Sequence, residues 1–414
     1  MKLLSRQYIR SVFDLGSGEA LGRVATVAIV VLIGHRFGAA TLGVYALGAG
    51  LAAYVAPAID FGLKHVGARL VARFPDSASE IVSRVQRRRA LMAVVVFPLI
   101  AAYVALTRLS PSQKVFVLVF AATSALYAAS LEWTAWGKGH LWVLGISRAV
   151  VPSSILFSVM IAILRGGHLL RWAAIGNVVG YVLQTVLYWH WWKRHRPVED
   201  PHVYDRSEVR EALAWRQSSV MGLAWFSNQA FVSVDVLILG LLADPMQLGF
   251  YSAAYRVLNQ VLATYYLFVN ALYPKLARQP ATERRSMLGP SVLVPIVSAG
   301  FAAAVLLIIS RRPLLVLLFG HSFVVAAPLL LILACAIPVD FLVSYLSNAL
   351  VAWSMERKVL VCALTAAATN IMLNTATVPH YGALAAAVNT VISYLVYLAA
   401  VAAAARRVSA IPRR

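Results

Sequence analysis

The stretch Leu42-Gly43-Val44-Tyr45, preceded by Ile33-Gly34, recurs later in the chain as Leu248-Gly249-Phe250-Tyr251, preceded by Leu239-Gly240. Both copies fit one ungapped offset of 206 residues, almost half of the 414 residues of the chain. Apolar segments flank each copy on both sides. A chain built from two related and mostly apolar halves is typical of two-lobed membrane transporters, whose sites lie where the repeats meet.

The composition places the chain among membrane proteins. Hydrophobic residues make up 61% of the chain and charged residues 13%, whereas soluble domains carry about 25% charged residues. A mean hydropathy of +0.76 over this length cannot be hidden in soluble cores. The sequence therefore predicts an all-α polytopic membrane protein.

Apolar segments long enough to cross a bilayer, about 20 residues each, recur along the chain. The sequence predicts about twelve transmembrane helices, arranged as two pseudo-symmetric six-helix lobes around a central cleft. The predicted spans are 17–35, 43–62, 90–107, 115–135, 143–164, 172–192, 218–242, 249–273, 289–310, 324–350, 359–376 and 381–404. The predicted domains are an N-terminal lobe at 1–196, a cytoplasmic linker at 197–217 and a C-terminal lobe at 218–414.

The net charge of +21 would suit nucleic-acid binding, but the positions of the basic residues argue against it. With the N-terminus placed inside, 27 of the 37 Lys and Arg residues fall in inside segments, 7 in outside loops and 3 within spans. This bias predicts that both termini are cytoplasmic. The charge then serves to anchor the chain at an anionic leaflet of the bilayer, and no nucleic acid is expected as a partner.

Several motifs resemble those of a known group of exporters. They are Asp60-Phe61-Gly62-Leu63, Arg69-Leu70-Val71-Ala72-Arg73, Asp235-Val236-Leu237-Ile238-Leu239-Gly240, Leu248-Gly249-Phe250-Tyr251-Ser252-Ala253-Ala254-Tyr255-Arg256, Leu318-Phe319-Gly320-His321-Ser322-Phe323 and Ala326-Ala327-Pro328-Leu329-Leu330. In their order and spacing the chain is similar to Wzx-type polysaccharide flippases of the MOP (multidrug, oligosaccharidyl-lipid, polysaccharide) superfamily.

This resemblance implies a flippase that works by alternating access. Its substrate would be an undecaprenyl-diphosphate-linked oligosaccharide, moved across the bacterial cytoplasmic (inner) membrane for O-antigen or exopolysaccharide biosynthesis. Polysaccharide polymerase machinery is a candidate partner, and H⁺ or Na⁺ are candidate coupling ions.

Two arginines within predicted spans, Arg23 and Arg148, are candidates for the substrate-binding cavity. A lipid diphosphate requires fixed cations, and arginine pairs with phosphate oxygens in a bidentate manner. A structural alternative is that Arg23 pairs with Glu19, one helical turn earlier, in the favourable acid-first order. Both arginines could also extend to the membrane surface.

A hairpin in the second half carries a candidate charge pair, Asp235 and Arg256. Asp235 lies seven residues before the end of span seven, and Arg256 lies seven residues after the start of span eight. At 1.5 Å per residue both lie about 10 Å below the outer surface, so the sequence predicts that they meet. The pair is either a buried salt bridge or a gate or proton-linked site, and Arg256 is also a cavity candidate.

Two further acids are candidates for gating or ion coupling. Asp340 lies near the middle of span ten and could bind H⁺ or Na⁺, or could be a structural acid held by hydrogen bonds. Asp60 lies with Lys64, His65 and Arg69 at the cytoplasmic end of span two. This group is either an interfacial cluster or a cytoplasmic gate.

Motifs of soluble enzymes are absent from the sequence. It contains no G-x-x-x-x-G-K-[ST] motif, so ATP hydrolysis is not expected, and no cofactor or metal site is predicted. The alternative function is an ion-coupled multidrug antiporter of the MATE type, although such an exporter of cations favours negative charge where this chain has Arg23 and Arg148. A membrane glycan polymerase or ligase fits less well, since every predicted outside loop is short.

Overall fold

The computed structural model describes residues 6–196, 222, 229, 233–280 and 283–409, and every regular element in these ranges is helical. The first half contains α1 (Arg6–Asp60), α2 (Leu63–Arg73), α3 (Ala78–Leu106), α4 (Pro111–Thr123), α5 (Leu126–Ala129), α6 (Glu132–Gly137), α7 (Leu141–Arg165) and α8 (Leu169–His195). The second half contains α9 (Ser233–Leu242), α10 (Pro245–Ala277), α11 (Arg284–Met287), α12 (Pro290–Phe319), α13 (Ala327–Ala334), α14 (Ala336–Ala352) and α15 (Glu356–Ser409).

Within these ranges, six helices are long and apolar enough to cross a membrane, or seven when the bent pair α13–α14 counts as one span. The six are Phe13–Asp60, Pro75–Leu106, Pro111–Gly137, Leu141–Arg165, Pro290–Phe319 and Glu356–Arg406. The predicted class, an all-α polytopic membrane protein, is therefore confirmed. The predicted linker 197–217 and most of span seven lie outside the described residues.

Two of the long helices each contain two predicted spans. Spans one and two lie in α1, which is interrupted at Gly38, where φ is 78° and ψ is 179°. Spans eleven and twelve lie in α15, which is interrupted at Gly382, where φ is 56°. A single glycine with positive φ replaces the longer loop that the sequence predicts at each place, because glycine adopts this conformation at little cost.

Two other predicted spans are broken within their length. Span four is divided among α4, α5 and α6, and span ten is divided between α13 and α14, which are bent by 42°. Breaks at membrane depth are tolerated only where neighbouring groups satisfy the freed backbone atoms. In span four, side chains of α3 and α8 satisfy these atoms.

Side chains define where two of the helices begin. Ser110 and Gln113 form a capping box at the start of α4, with Pro111 in the first turn. The Asp244 side chain accepts the Met246 backbone N–H at 2.7 Å at the start of α10. Such caps satisfy backbone N–H groups that have no partner inside the helix.

The described chain divides into two compact units. Among the described residues, the first unit comprises 6–37, 47–196 and 222, and the second comprises 38–46, 229, 233–280 and 283–409. Residues 38–46 of α1 therefore belong with the second half of the chain.

Within the second unit, the two copies of the repeated hairpin pack against each other. Gly43 lies against the backbone of Pro245 and Gly249, and Gly249 lies against the backbone of Ala39. Under the offset of 206, Ala39 corresponds to Pro245 and Gly43 to Gly249, so the contacts are equivalent under exchange of the copies. This local two-fold relation, in which each repeat presents the same surface, agrees with the internal repeat predicted from the sequence.

Candidate functional site

The first unit contains a cluster of three charged side chains that we call the arginine site: Glu19, Arg23 and Arg148. Arg23 Nε lies 3.3 Å from Glu19 Oε1, and Arg148 Nη1 lies 3.2 Å from Glu19 Oε2. The side chains are 63% (Arg23), 50% (Arg148) and 38% (Glu19) exposed, so the cluster is open to a ligand. The structure thus brings the two predicted cavity arginines together and also contains the predicted Glu19–Arg23 pair.

Close packing of α1 against α7 fixes the geometry of the arginine site. Gly18 and Gly22 of α1 lie against the backbone of α7, and Gly145 of α7 lies against the backbone of α1. A Cβ atom on Gly22 would lie 2.7 Å from the carbonyl oxygen of Arg148. Small residues are therefore required at this crossing. Because Gly22 precedes Arg23 directly, its contact with the Arg148 backbone keeps the two arginines close together.

A second carboxylate, Glu132 of α6, stabilises Arg148 from inside the unit. Glu132 is buried and accepts a hydrogen bond of 2.8 Å from the Tyr127 hydroxyl. It also attracts the Arg148 guanidinium electrostatically. Arg148 is therefore shared between a buried acid and the exposed Glu19, an arrangement that the sequence analysis did not predict.

A buried ion pair joins Asp60, a predicted gating residue, to Arg89 of α3. The exposed fractions of the two side chains are 5% and 2%. The Asp60 carboxylate also accepts the backbone N–H of Lys64 at 3.1 Å, at the start of α2. Asp60 ends α1 and is followed by Phe61, a non-glycine residue at φ 39°, so the pair stabilises a strained turn.

Arg89 and its neighbours satisfy the carbonyl groups freed by the break in span four. Arg89 Nη1 donates to the carbonyls of Ala128 at 3.2 Å and Ser130 at 3.1 Å. Gln86 and Trp189 donate to the carbonyl of Ala129 at 3.1 and 3.2 Å. This role of Arg89 was not predicted from the sequence. The spacing of Arg89 from the buried Val82 and Val85, at helical intervals, is the signal that could have identified it.

In the second unit, Asp235 is 3% exposed and accepts hydrogen bonds from side chains of α10 and α15. Its Oδ2 accepts from the hydroxyls of Tyr251 at 2.6 Å and Thr390 at 2.9 Å. Its Oδ1 accepts from the Asn374 amide at 2.7 Å, and Asn370 is a further hydrogen-bond partner. All of these partners are neutral donors.

The predicted contact between Asp235 and Arg256 is wrong. No ion pair joins them among the residues that the structure describes, and the side of α10 that faces Asp235 carries Tyr251. Arg256 is five residues further along, which rotates its side chain by about 140° around the helix. Arg256 instead interacts electrostatically with Tyr45. Equal depth in the membrane did not determine which way the side chains point.

Asp340 of α14 is the second buried carboxylate of this unit, with 1% exposure. Its Oδ1 accepts from the Tyr266 hydroxyl at 3.2 Å, its Oδ2 accepts from Ser344 at 3.4 Å, and Tyr394 is a third hydrogen-bond partner. Like Asp235, this carboxylate is surrounded by neutral hydroxyl groups. No group of three or more His, Cys, Asp or Glu residues that could hold a metal ion occurs in the described part of the chain.

Comparisons with known proteins identify the fold and one region of sequence. Residues 3–110 match the family of polysaccharide biosynthesis proteins. No curated protein sequence matches the chain. The lipid II flippase MurJ in an inward closed conformation matches 96% of this chain and 87% of its own, with 14% identity and a TM-score of 0.69. A multidrug resistance MATE transporter of the MOP superfamily, in its inward-facing conformation, matches 97% of this chain and 98% of its own, with 14% identity and a TM-score of 0.71.

At this identity the two structures establish the fold, and both are named as transport proteins. The chain therefore has the fold of these two transporters, which agrees with the resemblance that the motifs suggested, and its first quarter matches the family of polysaccharide biosynthesis proteins.

Proposed function

We propose that the chain is a flippase that moves undecaprenyl-diphosphate-linked oligosaccharides across the bacterial cytoplasmic membrane by alternating access. Its cargo would be repeat units for O-antigen or exopolysaccharide, and both termini would be cytoplasmic. The observation that carries this proposal is the arginine site, where Arg23 and Arg148 are held together in apolar helices yet remain half exposed or more. The match of residues 3–110 to polysaccharide biosynthesis proteins supports the substrate class.

The chemistry of the arginine site fits the headgroup of such a substrate. A diphosphate that links a lipid to a sugar carries two negative charges, and arginine binds phosphate oxygens with two parallel hydrogen bonds. Charged groups in membrane spans are costly and are usually retained for function. Arg256, the third cavity candidate from the sequence, is retained in this proposal as a further cation for the substrate.

Coupling to an ion is assigned in the same proposal to Asp235, with Asp340 as a second candidate. Each of the two carboxylates is buried, and the hydrogen-bond partners described above are neutral. Binding of H⁺ or Na⁺ would supply a positive charge that these donors do not provide. A change of occupancy would then alter the packing of α9, which carries Asp235, against α10 and α15, which carry its hydrogen-bond partners.

Transport of a fluorescent undecaprenyl-diphosphate sugar in proteoliposomes tests the proposal. We expect the double variant Arg23→Gln/Arg148→Gln to lose transport, while the matched control Arg171→Gln, at an exposed arginine outside the site, retains it. Equal transport by the double variant and the wild type would refute the assignment. Imposed gradients of H⁺ and of Na⁺ in the same vesicles identify the coupling ion.

A second candidate function is an ion-coupled multidrug antiporter. The fold match to a MATE transporter and the two buried carboxylates of the second unit favour it. Drug accumulation in an efflux-deficient strain distinguishes the two functions. Lowered accumulation of cationic drugs, together with no transport of the lipid-linked sugar, would support the antiporter.

A further inference from the structure

We infer that Glu19 is an internal competitor that occupies Arg23 and Arg148 when no substrate is bound and keeps singly charged phospholipid headgroups out of the arginine site. This inference rests on the proposed function and deepens it, because it assigns the selectivity of the site to one residue. Its basis is the geometry of the three side chains and the count of their charges.

Glu19 contacts the two arginines in the way that a diphosphate would. One carboxylate oxygen lies 3.3 Å from Arg23 and the other lies 3.2 Å from Arg148, so a single anion bridges two cations on different helices. A diphosphate also presents separate oxygens on its two phosphate groups. It can therefore replace both contacts of Glu19 at once.

The charge count distinguishes a diphosphate from a common phospholipid. The three side chains of the arginine site, two arginines and one glutamate, sum to a formal charge of +1. The buried Glu132 is present with either ligand, so its charge does not change the difference between them. A headgroup with one negative charge can bind only one of the two arginines. Glu19 then stays bound to the other arginine, close to the incoming anion, and repels it. A diphosphate with two negative charges neutralises both arginines and allows Glu19 to leave.

The surroundings of the three side chains determine which contact is exchanged. Glu19 is exposed enough to move, whereas Arg148 is also attracted by the buried Glu132, which the Tyr127 hydroxyl holds at 2.8 Å. Arg148 therefore stays in place when Glu19 leaves. A built-in group that opposes the binding of competing ligands is a general means of achieving specificity.

Binding measurements in lipid nanodiscs test the inference, with undecaprenyl diphosphate as the probe. The variants are Glu19→Gln and Asp14→Asn, an equal change of charge one to two turns earlier on the same helix. The nanodiscs contain either phosphatidylcholine alone or phosphatidylcholine with one part in three of phosphatidylglycerol, a singly charged lipid. Thermal unfolding of each variant checks that the fold is retained.

In phosphatidylcholine we expect Glu19→Gln to bind the probe roughly 3-fold to 10-fold more tightly than the wild type, as the loss of two partly exposed ion pairs that compete with the ligand implies. In nanodiscs with phosphatidylglycerol, Glu19→Gln should lose most of this gain in affinity. The affinity of the wild type for the probe should change less than about two-fold. Asp14→Asn should behave as the wild type. Should Glu19→Gln not fold, Glu19→Asp, whose shorter acid cannot reach both arginines, should change binding in the same direction.

The outcomes separate this inference from the proposed function. Binding by Glu19→Gln that is equal to or weaker than that of the wild type, or that ignores phosphatidylglycerol, would overturn the role of Glu19 as a competitor. Failure of the wild type to bind the probe, or equal binding by Arg23→Gln/Arg148→Gln, would instead overturn the proposed function.

Discussion

Replacement of Arg89 by methionine should destabilise the first unit more than any other single change in its buried polar network. The substitution leaves the Asp60 carboxylate, which is 5% exposed, with the Lys64 backbone N–H but without its cation. It also removes the donor to the carbonyls of Ala128 and Ser130. Removing one partner of a buried ion pair costs about 3–5 kcal/mol.

The opposite substitution, Asp60→Asn, should cost less. The guanidinium keeps two carbonyl acceptors at 3.1 and 3.2 Å, and the asparagine oxygen can accept a hydrogen bond in place of the carboxylate. We expect a loss of about 1–3 kcal/mol, the cost of weakening one charged hydrogen bond in a buried site. The double variant Asp60→Asn/Arg89→Met should be more stable than the sum of the single changes, because it buries no unpaired charge.

Thermal unfolding of the detergent-solubilised protein, followed by size-exclusion chromatography, measures these effects. On the scale of about 2–4 °C per kcal/mol for a unit of this size, Arg89→Met should lower the melting temperature by about 6–20 °C. Arg87→Met is the matched control, since Arg87 is exposed and precedes Arg89 by two residues. Equal melting temperatures for Arg89→Met and Arg87→Met, or full additivity in the double variant, would refute the argument.

Three further predictions concern other parts of the molecule. Asp235→Asn should remove the ion dependence of transport in proteoliposomes with little loss of folded yield, since asparagine keeps the size of the side chain; retained ion dependence would contradict this. Gly43→Val should reduce the folded yield, because its side chain would meet the backbone of α10, whereas Gly16→Val, with nothing within 4 Å, should not. Burial lowers the pKa of His140 below its ordinary 6.5, and its neutral ring accepts the Trp191 N–H. Its contribution to stability is therefore present above pH 6.5 and is lost as the pH falls. Between pH 7 and 5, the melting temperature of His140→Gln should change less with pH than that of the wild type.

The sequence was sufficient to predict the features that depend on composition and local spacing. Hydropathy predicted the polytopic helical class, and the acid-first spacing of four residues predicted the Glu19–Arg23 contact. The repeated hairpin predicted an internal repeat, and its two copies pack against each other through equivalent contacts at Gly43 and Gly249. These features follow from helix periodicity and from segment length, which a sequence encodes directly.

Features that depend on the direction of a side chain around its helix were not predictable in the same way. The positions of Asp235 and Arg256 in their spans predict the same depth in the membrane, but Tyr251, not Arg256, lies on the side of α10 that faces the acid. The partner of Asp60 lies 29 residues away, in a run of three arginines of which only Arg89 is buried. Contacts between helices depend on rotation and tilt, which neither hydropathy nor charge counts determine.

The two halves of the chain are related by the repeat but differ in the sign and burial of their charged side chains. At the offset of 206, Arg23 corresponds to Gln229, and Asp235 corresponds to Ile29, which is 1% exposed. The first unit thus holds exposed cations in contact with an acid, and the second holds buried acids in contact with neutral donors. An exposed cation suits an anionic ligand that must enter and leave, whereas a buried carboxylate among neutral donors suits a small cation or a proton. This division is the physical reason for assigning substrate binding to the first half and ion coupling to the second.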